Sequence, residues 1–173
     1  MKPQAVFSSR SQVMLDSVDW KIVSALQQNA RTSFAELGRS IGLSTPATAE
    51  RVRKLEDAGV ILGYRAEVDP ARIGLPITAF IRMSVVGDVF VRITALLQEM
   101  PEVLECHRGT GADSFTIKVA VSNVAHLEAL IDRLTPFGTT TTSIVLSTPV
   151  ARRSLEPIVP KASAPRKMTR MRS

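Results

Sequence analysis

Leu43–Gly63 reads LSTPATAERVRKLEDAGVILG, and the two faces of its helix decide how the rest of the chain is read. At about 100° per residue, Thr48, Val52 and Leu55 fall together on one side, with Ala58 near its edge. Pro46, Ala49, Glu50, Arg53, Lys54 and Asp57 fall on the other. Ser44 is placed as N-cap, with Thr45 and Pro46 in the first turn, where a missing backbone N–H costs nothing. Gly59 supplies a left-handed stop. A helix that packs by a thin apolar stripe and turns small and cationic side chains outward can enter a DNA major groove.

The preceding residues supply a scaffold for that helix. Ser17–Gln28 carries Val18, Ile22 and Leu26 at helical spacing, with Trp20 off that line and Ser17 or Asp16 as cap. Residues 33–41 form a short second helix, capped by Thr32 or Ser33, with Phe34, Leu37 and Ile41 inward. Gly42-Leu43-Ser44 is then the tight turn of a helix-turn-helix. After Gly59, residues 60–68 read as an extended, hairpin-like wing. The plainer alternative is a helical hairpin with a solvated charged face, in which Glu50 and Lys54 make a favourable i,i+4 pair.

Bulk properties narrow the field. The chain has 173 residues, enough for two small domains, and is 45% hydrophobic, so each half can bury a core. Aromatic residues make up only 5%, which argues against a broad base-stacking surface for single strands. The net charge of +6 favours a polyanionic partner. Much of it sits in the tail, in Arg152, Arg153, Lys161, Arg166, Lys167, Arg170 and Arg172 against Glu156, so the body is close to neutral. The helix pattern therefore carries the case for DNA. The single cysteine, Cys106, excludes an internal disulfide, and with only His107 and His126 besides, no metal site is expected. No apolar run reaches membrane-spanning length, and the N-terminus lacks a signal-peptide core, so the protein reads as soluble and cytoplasmic, with no membrane partner.

Residues 69–76 (DPARIGLP) are rich in turn-formers, and beyond them the hydrophobic period changes. Residues 77–86 alternate, Ala79, Ile81, Met83 and Val85 against Thr78, Phe80, Arg82 and Ser84. Residues 88–100 have Val89 or Phe90, Ile93, Leu96, Leu97 and Met100 at helical spacing. Residues 103–108 and 114–121 read as strands around Gly109-Thr110-Gly111-Ala112-Asp113. Residues 124–134 are a second helix and 139–148 a last strand. The order βαββαβ is the ferredoxin-like arrangement. Its helices cover one side of the sheet, so Phe80, Phe115 and Ile117 are expected to need cover on the other, most simply from a second copy of the chain. The fold expected is α+β: a flexible N-terminal arm (1–14), a winged helix-turn-helix (15–68), a linker (69–76), a ferredoxin-like domain (77–153) and a basic disordered tail (154–173).

This organisation resembles the leucine-responsive regulatory protein/AsnC family of prokaryotic transcription regulators. In the first domain the resemblance rests on Leu15-Asp16-x-x-Asp19, on Leu43-Ser44, and on the run from Glu50 to Glu56 followed by Gly59-Val60-Ile61. In the second it rests on Val103-x-Glu105-Cys106-His107, on Gly109-Thr110-Gly111-x-Asp113-Ser114-Phe115 and on residues 142–147. It implies DNA binding as homodimers that assemble further, into tetramers or octamers, with an amino acid as effector between second domains. No cofactor is implied.

For double-stranded DNA, the candidates are Ser44, Thr45, Pro46, Thr48, Ala49, Glu50, Arg51, Arg53 and Lys54, with Tyr64 and Arg65 on the wing. Hydroxyls can reach phosphates or base edges, Pro46 and Ala49 suit a thymine methyl, Glu50 can accept from cytosine, and the cations suit phosphate or guanine. Ser44 and Thr48 are equally available for capping and packing, and Arg51 lies near the core edge, where it can brace the domain. Arg31 and Arg39 read as plain surface charges. For the effector, the candidates are Gly109, Thr110, Gly111, Ala112, Asp113 and Ser114, with Thr141 and Thr142 from the last strand. Paired glycines let backbone N–H groups approach a carboxylate, and Asp113 can counter an ammonium. Taken without the resemblance, the same turn is simply a β-hairpin connection. Ala112 stands where the family's loop often carries an acid.

Cys106 and His107 are adjacent on a strand and face opposite sides, with no acidic partner evident, so no catalytic pair is expected. Siroheme decarboxylases resemble the same two-domain architecture, but two histidines and few aromatics weigh against a tetrapyrrole enzyme. A DNA-wrapping architectural protein without effector is the other alternative, to be separated from a regulator by its specificity ratio.

Overall fold

The structure, a computed structural model, describes residues 13–157. The arm at 1–12 and the tail from 158 lie outside the described residues. Two compact units divide between Arg65 and Ala66, and residues 152–157 return to the first unit. That return starts at Arg152. Its cause is Gln27, whose side-chain amide donates to the Leu155 carbonyl at 3.0 Å and accepts from the Leu155 N–H at 2.7 Å.

In the first unit α1 spans Ser17–Gln28, α2 Phe34–Ile41 and α3 Thr45–Asp57. Asp16 caps α1 in a reciprocal box with Asp19, and Ser33 caps α2 with Glu36. The core gathers Ile22, Leu26, Leu37, Val52 and Leu55, with Leu15, Val18, Ile41, Val60 and Ile61 packed around it. Phe34, expected inward, is 43% exposed, because α2 turns its Leu37 and Gly38 side to the core instead. The α2–α3 turn passes through Gly42 at φ 79°, a left-handed conformation.

Residues 60–68 form no strand, so the expected hairpin wing is not found. The local reason is the end of α3. The Val60 and Ile61 N–H groups both donate to the Leu55 carbonyl, at 2.9 and 3.1 Å, folding the chain back on the helix instead of into a ladder.

In the second unit a short 3-10 turn at Pro70–Ile73 precedes β1 (Ile77–Val85), α4 (Phe90–Glu99), β2 (Val103–Arg108), β3 (Phe115–Val121), α5 (Val124–Leu134) and β4 (Gly138–Ile144). The antiparallel sheet has the order β2-β3-β1-β4. Ala79, Ile81, Met83 and Val85 point to the helix side and pack with Ile93, Leu97, Leu127, Leu130 and Leu134. Phe115 and Ile117 belong to that same core, which corrects their expected place on the open face. They pair with Met83 and Ile81, and directly opposed residues share a face.

The open face is consequently polar. Phe80 stands between Lys118 and Ser143, and Arg82 between Thr116 and Thr141. A bulge between Val103 and Glu105 shifts the β2 register, so that Glu105 and His107 oppose Lys118 and Thr116.

Candidate functional site

α3 is fixed on one face and free on the other. Thr48, Val52 and Leu55 are buried, while Arg53 and Lys54 keep side chains 66% and 72% exposed. Thr45, Pro46 and Glu50 are exposed beside them and Ala49 is half-buried. Glu50 holds both cations, Arg53 Nη1 at 3.0 Å and Lys54 Nζ at 3.6 Å. These contacts are exposed and salt-screened, so either cation leaves Glu50 at little cost.

Three candidates are engaged elsewhere. Thr48 is 0% exposed and its hydroxyl donates to the Ser44 carbonyl at 2.9 Å, so it serves packing and leaves the outward set. Ser44 Oγ accepts from the Ala47 N–H at 3.4 Å as the helix cap. Arg51 turns away from the outward face, its Nη1 2.5 Å from Asp16 Oδ2 and 2.8 Å from Asp19 Oδ1. Both contacts raise its already high pKa, the Asp16 hydrogen bond most. The same arrangement holds the Asp16 carboxyl below its ordinary value, chiefly through the Asp19 backbone N–H and then through Arg51. Beside the brace, Val13, Leu15, Asp19, Arg51, Lys54, Leu55 and Ala58 line a cleft of about 470 Å³. Tyr64, although in no wing, returns to α3. Its hydroxyl donates to Glu56 Oε1 at 2.8 Å, and burial followed by that carboxylate pushes its pKa up to about 12.

The second candidate site is the β2–β3 turn. Gly109 N–H donates to the Ser114 carbonyl at 3.2 Å, and Ser114 N–H to the Met83 carbonyl at 2.8 Å. Gly111 holds φ 110°, a conformation that favours glycine. Ser114 Oγ accepts from the Val85 N–H at 3.4 Å, which pins the turn to β1. Asp113 lies 3.9 Å from Arg82, both partly exposed. Thr110, Gly111 and Ala112 are exposed around them. The last-strand candidates separate: Thr141 opposes Arg82 on the open face, whereas Thr142 opposes Ile81 and points to the helix side. Both cannot line one pocket in one subunit.

Sequence reasoning placed Arg82 on the outward set of β1 without giving it a role. The structure brings its guanidinium within 3.9 Å of the Asp113 carboxylate, with Thr141 directly opposite it on β4. The signal was a lone arginine at an outward strand position whose cross-strand neighbours are hydroxyl residues.

His107 has an acidic partner, contrary to expectation, and His126 has one as well. His107 Nε2 lies 3.4 Å from Glu105 Oε2, and Glu105 also takes Lys118 at 3.1 Å. His126 Nε2 lies 3.0 Å from Glu102 Oε1 and its Nδ1 3.1 Å from Ser122 Oγ. Burial pushes the Cys106 thiol up, away from thiolate chemistry. Among the described residues, no cluster of three or more His, Cys, Asp or Glu could hold a metal ion, and no helix is long and apolar enough to cross a membrane.

Comparison with known proteins accounts for both units. Residues 15–56 match the AsnC-type helix-turn-helix domain and residues 78–155 the Lrp/AsnC ligand binding domain. The HTH-type transcriptional regulator LrpC of Bacillus subtilis is 34% identical over 133 residues, 77% of this chain and 92% of that protein. The structure of Escherichia coli AsnC superposes with a TM-score of 0.74 at 33% identity, covering 82% of this chain and 98% of that one. A transcriptional regulator of Neisseria meningitidis, solved as its L-Met complex, gives a TM-score of 0.77 at 30% identity, covering 82% and 96%.

Proposed function

From the premise that this chain belongs to the Lrp/AsnC family of DNA-binding transcription regulators, whose second domain binds an effector, we propose how its own residues divide the work. The outer face of α3 reads double-stranded DNA through Thr45, Pro46, Ala49, Glu50, Arg53 and Lys54, with Ser44 at the cap. Pairing of Arg53 and Lys54 on one exposed carboxylate, opposite a face locked in the core, is the observation that carries this reading. Tyr64 supports the C-terminal end of that helix through Glu56. Arg53→Ala is expected to weaken binding to a preferred duplex by about 1–3 kcal/mol if the guanidinium reads a base. A mobility shift unchanged by Arg53→Ala and Lys54→Ala together overturns the assignment.

An amino acid is the effector, held at the Gly109–Ser114 turn. Asp113 takes the ammonium, while Arg82 and the N–H groups around Gly111 take the carboxylate, with Thr110, Ala112 and Thr141 at the rim. Support comes from the Arg82–Asp113 pair and from the L-Met complex of the Neisseria relative. A thermal-shift screen of the amino acids, repeated on Asp113→Ala, tests it: stabilisation by one class that the variant loses is expected, and stabilisation untouched by the variant refutes the site.

The chain works as a homodimer or a higher even oligomer in the cytoplasm, where its DNA lies. The open face, with Phe80 41% exposed among charged and hydroxyl residues, suits a self-complementary polar interface. Light scattering on the purified protein decides this. Ligand bound differently in different assembly states then shifts DNA binding.

A further inference from the structure

Arg51 is the one cation of α3 whose stem starts between the buried Thr48 and Leu55, three residues before it and four after. Its guanidinium reaches the start of α1, and the acceptors there are built before it arrives. Asp16 Oδ1 accepts from the N–H groups of Val18 and Asp19, both at 2.8 Å, which leaves Oδ2 for Arg51. Asp19 Oδ2 accepts from the Asp16 N–H at 3.1 Å, which leaves Oδ1 for Arg51. Each carboxylate thus has one oxygen on the backbone of α1 and the other on α3. The capping box of one helix orients the anchor of another. Asp19 is also the more sheltered of the pair, its side chain 16% exposed.

The apolar contacts of Val52 and Leu55 hold α3 against the core but are non-directional, and permit rotation about the helix axis. A charge-assisted bridge at the helix flank is directional and opposes that rotation. The geometry matters at the outward face. With side chains, a helix has a radius of about 5 Å, so a rotation of about 20° moves an outward atom by roughly 2 Å, enough to lose a base-edge hydrogen bond.

We propose that Asp16, Asp19 and Arg51 form a positioning brace that sets the rotation of α3, and that Arg51 makes no contact with DNA phosphate. The brace rests on the reading that α3 carries DNA recognition. It inverts the ordinary electrostatic expectation: removing a negative charge beside the DNA-facing helix reduces discrimination.

Asp16→Asn is the telling variant. It keeps the capping Oδ1, since asparagine is a strong N-cap, and turns an amide nitrogen toward the guanidinium. Duplexes enriched by the wild-type full chain from a random library are titrated against scrambled duplexes over a range of salt. Asp16→Asn and Arg51→Ala are each expected to lower the preference for the enriched duplex by about threefold to tenfold, with the salt slopes unchanged and the double variant no worse than the poorer single one. A phosphate contact predicts otherwise: Arg51→Ala weakens both duplexes alike and lowers the slope by about 0.9, while Asp16→Asn tightens both. That result overturns the proposal. Thermal melts of the same four proteins read the brace without DNA, and effects that simply add would also overturn it. Failure of the wild type to enrich any duplex counts against the DNA reading alone, because coupled melts would still uphold the brace.

Discussion

Alanine at position 38 would put a methyl group against the α2–α3 turn and the buried Thr48 of α3. Built on the observed backbone, its Cβ lies 2.6 Å from the Leu43 carbonyl oxygen and 2.8 Å from Thr48 Oγ1. Neither neighbour can give way freely. Leu43 is tied back to α2 by its N–H on the Gly38 carbonyl at 2.9 Å, and Thr48 is buried with its hydroxyl on Ser44. Overpacking of this kind costs about 1–3 kcal/mol, and a Thr48 rotamer that relieved it would forfeit about 1 kcal/mol of hydrogen bond. Against these stands the better helix propensity of alanine, about 1 kcal/mol. The net is a destabilisation of roughly 1–3 kcal/mol, or about 4–24 °C for a unit of this size. Far-ultraviolet circular dichroism melts of the full chain read it, in the transition that carries the three-helix unit. Gly42→Ala is the comparison: its Cβ meets nothing within 4 Å but φ is 79°, so its cost is left-handed strain of about 1–2 kcal/mol rather than a clash. A Gly38→Ala melting temperature equal to or above the wild type would refute the packing argument.

Tyr64 is the single tyrosine, so near-ultraviolet absorbance titrates it alone, with a midpoint expected at about 12 instead of the ordinary 10.0. A folded pKa above the unfolded one means its stabilisation is complete below pH 10 and is lost as pH rises toward 12. Glu56→Gln should return the midpoint only part of the way, since burial is the larger cause, and an ordinary midpoint in the wild type would contradict the contact. His126→Ala leaves Glu102 Oε1 without its imidazole, beside an Oε2 that is already buried and unpartnered, and is expected to cost about 1–3 kcal/mol at neutral pH. The His126 hydrogen bond is the first cause of the lowered Glu102 pKa, so its stabilisation is present above 4.5 and fades as acid protonates the carboxylate. Below pH 4.5 the melting gap between wild type and variant should narrow as the pH falls, and a gap that widens there would refute it.

Local signals were legible wherever backbone and side chain agree. Ser44 as cap, Pro46 in the first turn and the Gly59 stop delimit α3 because each answers a demand of helix geometry at its own position. The two-residue period of β1 separated Ile81 and Met83 from Phe80 and Arg82 without error, since the strand sits between two neighbours and is half-buried throughout. Phe115 and Ile117 were misplaced because a strand's own pattern does not say which face meets the helices. Cross-strand register decides that, and register is a long-range property. The missing wing has a similar origin: residues 60–68 have the composition of strands, but the α3 terminus claims the Val60 and Ile61 N–H groups. At the candidate sites, residue types alone do not say which side chains other groups already engage. Thr48 and Arg51 carry groups suited to DNA, and in the structure those groups are engaged by Ser44 and by the Asp16–Asp19 pair. Arg82 was overlooked for the converse reason, as its partner Asp113 lies 31 positions along the chain on another element.

The bond pair between Gln27 and Leu155 joins residues 128 positions apart. A contact of that separation forms late, because α1, α2 and α3 close on short local loops while this one waits for everything between. During synthesis the three-helix unit can therefore condense as soon as residue 65 has emerged, yet α1 gains its last partner only after the whole sheet-bearing unit has been made. A nascent or prematurely ended chain would present α1 with the Gln27 amide turned to water. Hydrogen exchange at the C-terminal turn of α1 would then distinguish a finished molecule from an interrupted one, although both contain every residue of the helix itself.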